Sequence, residues 1–393
     1  MPRGVGRIGR ELRPELVWTK VANVPPAKAN SSRAGVASIF DVARRAGVST
    51  ATVSRVLNGN TSVGSDLVAR VGQAVKELNY SPNRVARSLR LRHNRVWALV
   101  ISDIRTGPFF ADVVRGVEDV AYEAGYSMFL CNADEDGGKE AGYLQLAAAE
   151  NVAGVVLTPS GPGTDLTPVL EAGIKVVLAD RRLPGRQADT VITDNVLAAS
   201  DAVGHLLANG YRRIACITGP LTTSTASERL LGYRAALEAC AVVPDVALTR
   251  SADFREEGGL LAMRELLSAR PRPDAVFVAN NRMTAGALQA VEEAGLSVPG
   301  DLAVVGYDEV PWAPLLRTAL STVSQPAYEI GHESARLLLH RIGGYAGAPR
   351  TVVLPTSLNI RASSAPRSTL PGSGPGPGPG RQSRAGARRR AAR

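Results

Sequence analysis

Residues 38–59 read SIFDVARRAGVSTATVSRVLNG, and the caps and apolar spacing of that stretch decide the N-terminal fold. Ser38 is placed to cap a helix through IFDVARRA, with Asp41 three residues on as its reciprocal partner and Gly47 as the stop. Phe40, Ala43 and Ala46 then share one face. After the turn at Gly47 and Val48, Ser49 caps a second helix, TATVSRVLN, whose Val53, Val56 and Leu57 point inward and which ends at Asn58 and Gly59. A third helix, from about Ser65 to Leu78, carries Val68, Val71, Val75 and Leu78 at helical spacing and closes a small three-helix unit. Two helices joined by so tight a turn form a helix-turn-helix.

The outward face of the second helix has the chemistry of a nucleic-acid reader. Thr50 and Ala51 are small enough for close approach, and Arg55 supplies a forked donor suited to guanine edges. Ser49, Thr52, Ser54 and Asn58 are short donors of the kind that hold phosphates. The charge distribution agrees. Residues 1–95 hold 17 Lys and Arg against 5 Asp and Glu, residues 96–360 hold 21 against 31, and residues 361–393 hold 8 against none. An acidic body with basic ends confines phosphate neutralisation to the ends. Next comes YSPNRVARSLR, residues 80–90, a short helix capped by Ser81 with Pro82 in its first turn. A helix of that length is marginal alone, so it forms only when docked. Its Leu89, set among Arg84, Arg87 and Arg90, reads as an apolar wedge for the minor groove.

From Val96 the pattern changes to apolar runs such as WALVI, GVVLTP, KVVLAD, IACITG, AVFVAN and LAVVGY, separated by helical stretches. Such runs predict parallel strands covered on both faces, and about 260 residues of them predict two α/β lobes. Ligands of open parallel sheets bind where strands end. There the sequence places Asp103 and Phe109-Phe110, Asp180-Arg181-Arg182, Asn280-Asn281 and Tyr307-Asp308. Carboxylates, amides, guanidinium groups and aromatic rings in one cleft suit a polyhydroxylated ligand.

IFDVARRAGVSTATVSRVLNG together with YSPNRVARSLR closely resembles the DNA-binding and hinge region of the lactose-repressor (LacI/GalR) family of bacterial regulators, and the resemblance extends over residues 37–363. It implies an N-terminal helix-turn-helix domain with a hinge helix, then a two-lobed, periplasmic-binding-protein-like α/β body with parallel sheets. It also implies a homodimeric repressor on double-stranded operator DNA, controlled by a small-molecule effector. Carried over by position, base readers are Thr50, Ala51 and Arg55; phosphate contacts are Ser49, Thr52, Ser54 and Asn58; minor-groove residues are Ala86, Leu89 and Arg90. The effector residues are Arg229 three residues before Gly232, Asp308 in GYDE, Phe254 in SADF, and Phe110, Asp180, Thr225 and Asn280. Two departures stand out. DIRTGPFF, residues 103–110, is one residue longer than the family's DIxNPFF, and Asn281 stands where the family usually has an aspartate. A sugar is the leading effector class, with a purine or nucleoside, or an activator role, as alternatives.

The expected organisation is a disordered basic extension over 1–36, the reader over 37–80, the hinge over 81–95 and the body over 96–362. Lobe 1 is expected at about 96–192 and 326–345, and lobe 2 at about 195–323 and 351–362, with chain crossings near 191–195, 323–326 and 345–351. A disordered Gly/Pro-rich basic tail, 363–393, lacks the apolar heptads of a tetramerising helix, which predicts a dimer. Enzyme readings find no support: Gly4, Gly6 and Gly9 form GxGxxG with no strand before it, and the four histidines pair with no nucleophile. No metal or other cofactor is expected. Cys131, Cys216 and Cys240 have no metal or redox spacing. The N-terminus lacks the apolar core of an export signal, which with residues 37–92 argues against an exported solute-binding protein, and no run is long enough to span a membrane. The expected location is the cytoplasm.

Overall fold

A computed structural model describes residues 37–57, 64–80, 95–185 and 187–367. The chain divides into two compact units, each described by itself below. The expected hinge helix, Ala86, Leu89 and Arg90 in it, Asn58, and both terminal extensions up to 36 and from 368 lie outside the described residues.

The first unit consists of α1 (Ile39–Ala46), α2 (Thr50–Leu57) and α3 (Ser65–Glu77). The capping box forms: the Ser38 amide donates to Asp41 Oδ2 at 2.9 Å, and the Asp41 amide donates to Ser38 Oγ at 3.3 Å. Val42, Ala43, Ala46, Val53, Val71 and Ala74 make the core, with Ile39, Val56, Leu57, Val75 and Leu78 packed around it. Two apolar side chains lie elsewhere than expected. Phe40 is 71% exposed, because Ile39, Val42, Ala43 and Ala46 already fill the inward stripe and Phe40 lies a quarter-turn off it. Val68 is 44% exposed, one turn ahead of where α3 meets the other helices at Val71.

The second unit contains two six-stranded sheets. Its strands are β1 (Val96–Ile101), β2 (Ser127–Asn132), β3 (Gly154–Leu157), β4 (Lys175–Ala179), β5 (Asp189–Thr193), β6 (Ile214–Thr218), β7 (Thr249–Ser251), β8 (Ala275–Val278), β9 (Ala303–Tyr307), β10 (Ser321–Ser324), β11 (Thr351–Leu354) and β12 (Ser357–Asn359). Its helices are α4 (Pro108–Glu123), α5 (Gly137–Ala149), α6 (Thr167–Glu171), α7 (Asn195–Ala208), α8 (Ser224–Ala239), α9 (Glu256–Ser268), α10 (Asn281–Glu293) and α11 (Ala327–Ile342). The sheets run β11-β5-β4-β3-β1-β2 and β12-β10-β9-β8-β6-β7, parallel throughout except for β10 against β12. Strands such as β3, β8 and β9 are buried along their whole length, which is why they read as unbroken apolar runs.

The chain passes between the lobes at Asp194, at Gln325-Pro326 and at Pro355-Thr356. The third passage corrects the expected one at 345–351: Thr351–Leu354 pairs in parallel with β5 and belongs to lobe 1, and only β12 joins lobe 2. The body also continues past residue 362. Ser363 and Ser364 are buried, with Ser363 Oγ donating to the Val304 carbonyl at 2.6 Å and the Asn209 side-chain amide donating to the Ser364 carbonyl at 2.7 Å. Polar residues that cap a sheet edge carry no apolar pattern, so the sequence sets the boundary too early.

Candidate functional sites

In the first unit, Ala51 and Arg55 lie one turn apart on the exposed side of α2, while Thr50, Thr52 and Ser54 are half-buried. Ser49 serves two purposes. Its Oγ accepts the Thr52 amide at 3.1 Å, capping α2, and lies 2.9 Å from Thr52 Oγ1, so the pair keeps one hydroxyl proton to give outward.

In the second unit, the strand ends of the two lobes converge on a cleft lined by Phe109, Phe110, Glu135, Asp180, Arg181, Thr225, Arg229, Phe254, Asn280, Asp308 and Gln325. All seven residues expected to face an effector are among them. The longer 103–110 segment does not disturb the aromatic pair. The segment forms a single 3-10 turn, Ile104–Thr106, and Gly107 then takes φ 73° and ψ −126°, backbone that only glycine adopts without strain. Phe109 and Phe110 follow at the start of α4, edge to face at 5.0 Å.

Lobe 2 builds the side of the cleft around Arg229. Its Nε donates to Asn195 Oδ1 at 2.8 Å and its Nη1 to the Ala279 carbonyl at 2.8 Å. Asn280 caps α10 through Oδ1, which accepts the amides of Arg282 and Met283, leaving its NH2 group to donate. Asp308 Oδ1 accepts Gln325 Nε2 at 2.7 Å, and Gln325 Oε1 accepts Thr193 Oγ1 at 2.8 Å. A hydrogen-bond chain thus joins two of the crossings to a carboxylate in the cleft.

Lobe 1 contributes Asp180 and a paired cation. Arg181 donates to both oxygens of Glu135, at 2.8 and 2.6 Å, and its guanidinium carbon lies 5.5 Å from the centre of the Phe254 ring. Burial pushes the Asp180 carboxyl up to about 6 against the opposing pull of Arg181 and Arg229. Asp308 is pushed up by burial as well, with Arg229 opposing. Asp180, Phe254 and Asp308 all have left-handed backbone, at φ 66°, 61° and 68°. With Glu135 at φ 59°, four side-chain-bearing residues held in a sparsely populated region around one cleft mark it as a site where packing imposes conformation.

Four lining residues were not assigned from the sequence. Phe109 stands beside Phe110 with no separate role in the sequence pattern, and Arg181 is visible only as the neighbour of Asp180. Glu135 sits in a turn with φ 59°, and Gln325 on a crossing, so neither falls in a recognisable pattern. Among the described residues no group of three or more His, Cys, Asp or Glu is arranged to hold a metal ion, and no helix is long and apolar enough to cross a membrane.

Comparison with known proteins places both units. Residues 38–83 match the bacterial regulatory proteins of the lacI family, and residues 203–364 match a periplasmic binding protein-like domain. The chain is 38% identical over 310 residues to the ribose operon repressor of Escherichia coli K12, covering 78% of this chain and 93% of that one. It is 37% identical over 333 residues to the HTH-type transcriptional repressor PurR of Edwardsiella ictaluri, covering 84% and 97%. A solved structure of the lac repressor dimer bound to operator and the anti-inducer ONPF aligns with a TM-score of 0.75 at 27% identity, over 84% of this chain and all of that one.

Proposed function

Because the chain belongs to the lacI family of bacterial regulatory proteins, we propose that this DNA-binding regulator is a cytoplasmic, homodimeric repressor whose hold on operator DNA is set by an uncharged sugar between its lobes. The observation that carries the ligand class is the charge balance of the cleft. Glu135, Asp180 and Asp308 face only two guanidinium groups, those of Arg181 and Arg229, and the first is already held at both terminal nitrogens by Glu135. A phosphate or carboxylate ligand would meet surplus negative charge and would have to break that pair. A sugar finds what it needs: acceptors in Asp180 and Asp308, donors in Asn280, Arg229 and Thr225, and ring faces in Phe110 and Phe254.

On the DNA side, Thr50, Ala51 and Arg55 read bases, Ser49, Thr52, Ser54 and Asn58 hold phosphates, and Ala86, Leu89 and Arg90 enter the minor groove between paired hinges. Support comes from the exposure of Ala51 and Arg55 and from the family's assembly on operator DNA, seen in the lac repressor dimer.

The test is fluorescence anisotropy of the full chain on DNA from upstream of its own gene, with neutral pentoses and hexoses, their phosphates, and purine bases as separate additions. Release by a neutral sugar alone is the expected result. Release by a purine base would move the ligand to the purine class, and release by sugar phosphates alone would overturn the charge argument.

A further inference from the structure

The 103–110 segment also makes a contact outside the cleft. Its 3-10 turn presents the Arg105 carbonyl to lobe 2, where Arg282 Nη1 donates to it at 2.9 Å. Both ends of this contact are anchored. On lobe 1, Asp103, buried at the end of β1, accepts the Arg105 amide at 2.9 Å and Arg105 Nε at 3.1 Å. Asp134, just after β2, accepts Arg105 Nη2 at 2.6 Å, and Asn132 holds the Ile104 amide at 2.9 Å. On lobe 2, the Arg282 amide is one of the two that Asn280 accepts, so the latching residue begins from a cleft-lining side chain.

We infer that Arg282 and the 104–106 turn form a latch across the cleft mouth, positioning the lobes for effector capture without touching the effector. Neither Arg105 nor Arg282 lines the cleft; both line a separate groove beside it, with Arg255, Glu256, Glu257, Leu260 and Gln289. On another part of the interface, the Arg182 amide donates to Ser224 Oγ at 2.9 Å and Arg182 Nε lies 3.3 Å from Glu228 Oε1. Opening the cleft by rotation about the crossings breaks the Arg282 bond. That bond is charge-assisted and ends on a carbonyl fixed by a rigid turn, so its loss shifts the closed-to-open ratio about tenfold. Effector affinity falls only in proportion to the closed fraction that is lost, because only the closed lobes surround the ligand. This last consequence rests on the proposed function; the latch itself does not.

The test needs no effector. Spin labels on Gln145→Cys of α5 and Glu292→Cys of α10, in a Cys240→Ser background and diluted with unlabelled chain, report the distance between lobes by double electron–electron resonance. The parent should show mainly short distances, Arg282→Ala should gain a longer-distance population about tenfold, and Arg255→Ala, in the same groove, should match the parent. Deletion of Thr106, which removes the turn and leaves Arg282 in place, should open the lobes in the same way and serves as the second variant. Distributions for Arg282→Ala and the deletion that superimpose on the parent would overturn the latch. So would equal opening by Arg255→Ala, which would assign the effect to groove charge.

Discussion

The guanidinium carbon of Arg229 lies 3.6 Å from the centre of the Tyr307 ring, which places a cation flat on the aromatic residue immediately before Asp308. α8 and the end of β9 are thereby fixed against each other at the floor of the cleft. The tyrosine hydroxyl is buried and its pKa is pushed up to about 12, so the ring stays neutral and the stack persists over the working pH range. Stacking, two hydrogen bonds and the adjacent carboxylates hold Arg229 in one orientation, with Nη2 outside both bonds.

Truncating that side chain should separate the two activities. Arg229→Ala leaves the Ala279 carbonyl without its buried donor and Asn195 Oδ1 with the Tyr307 hydroxyl alone, and should weaken the effector at least about thirtyfold, while operator affinity without effector stays unchanged. Anisotropy titrations with and without the releasing sugar check this. Arg229→Lys should not rescue, since a point charge reproduces neither the stack nor the fork.

Asp180 makes stability depend on pH in a defined direction. Its folded pKa is raised from 3.8 to about 6, so its contribution favours folding fully below 3.8 and is lost as pH rises to about 6. Above that window the ionised carboxylate costs on the order of 3 kcal/mol. Asp180→Asn stays neutral and tolerates the left-handed backbone at φ 66°. The variant should therefore melt several degrees above the parent at pH 7.5 and lose that advantage by pH 4. A constant offset between the two melting curves at both pH values would contradict it.

Arg55→Ala should reduce the preference for operator over mismatched DNA by about 1–3 kcal/mol and leave the salt-dependent background nearly unchanged. Binding measured on operator, mutated operator and random DNA at two salt concentrations distinguishes the roles. An equal loss on all three sequences makes Arg55 a phosphate contact.

Gly331 sits where α11 crosses α4, and a Cβ there would overlap the Val113 carbonyl, a backbone atom that cannot move aside alone. Gly331→Ala should cost about 1–3 kcal/mol, or several degrees of melting temperature. Gly142→Ala, at an exposed position in α5 with open space around it, should instead stabilise by about 0.5–1 kcal/mol. Melting curves of the two variants should move in opposite directions.

The parts of this protein governed by short-range rules are legible in its amino-acid order. The capping box at Ser38 and Asp41, the inward placement of Ala43 and Ala46, and the apolar runs of β3, β8 and β9 depend on neighbours within a few residues, so they are legible as patterns. The strand-end position of Asp180, Asn280 and Asp308 is legible for the same reason. Tertiary structure decided what depends on residues far apart in the chain. Phe40 faces solvent because a small three-helix core has room for only one stripe. β11 joins lobe 1 because β5 offers it a parallel edge, a pairing between residues some 160 positions apart. Glu135 and Gln325 reach the cleft, and Arg282 reaches Arg105, because two separately wound sheets bring their strand ends face to face, and such meetings leave no periodicity in the chain.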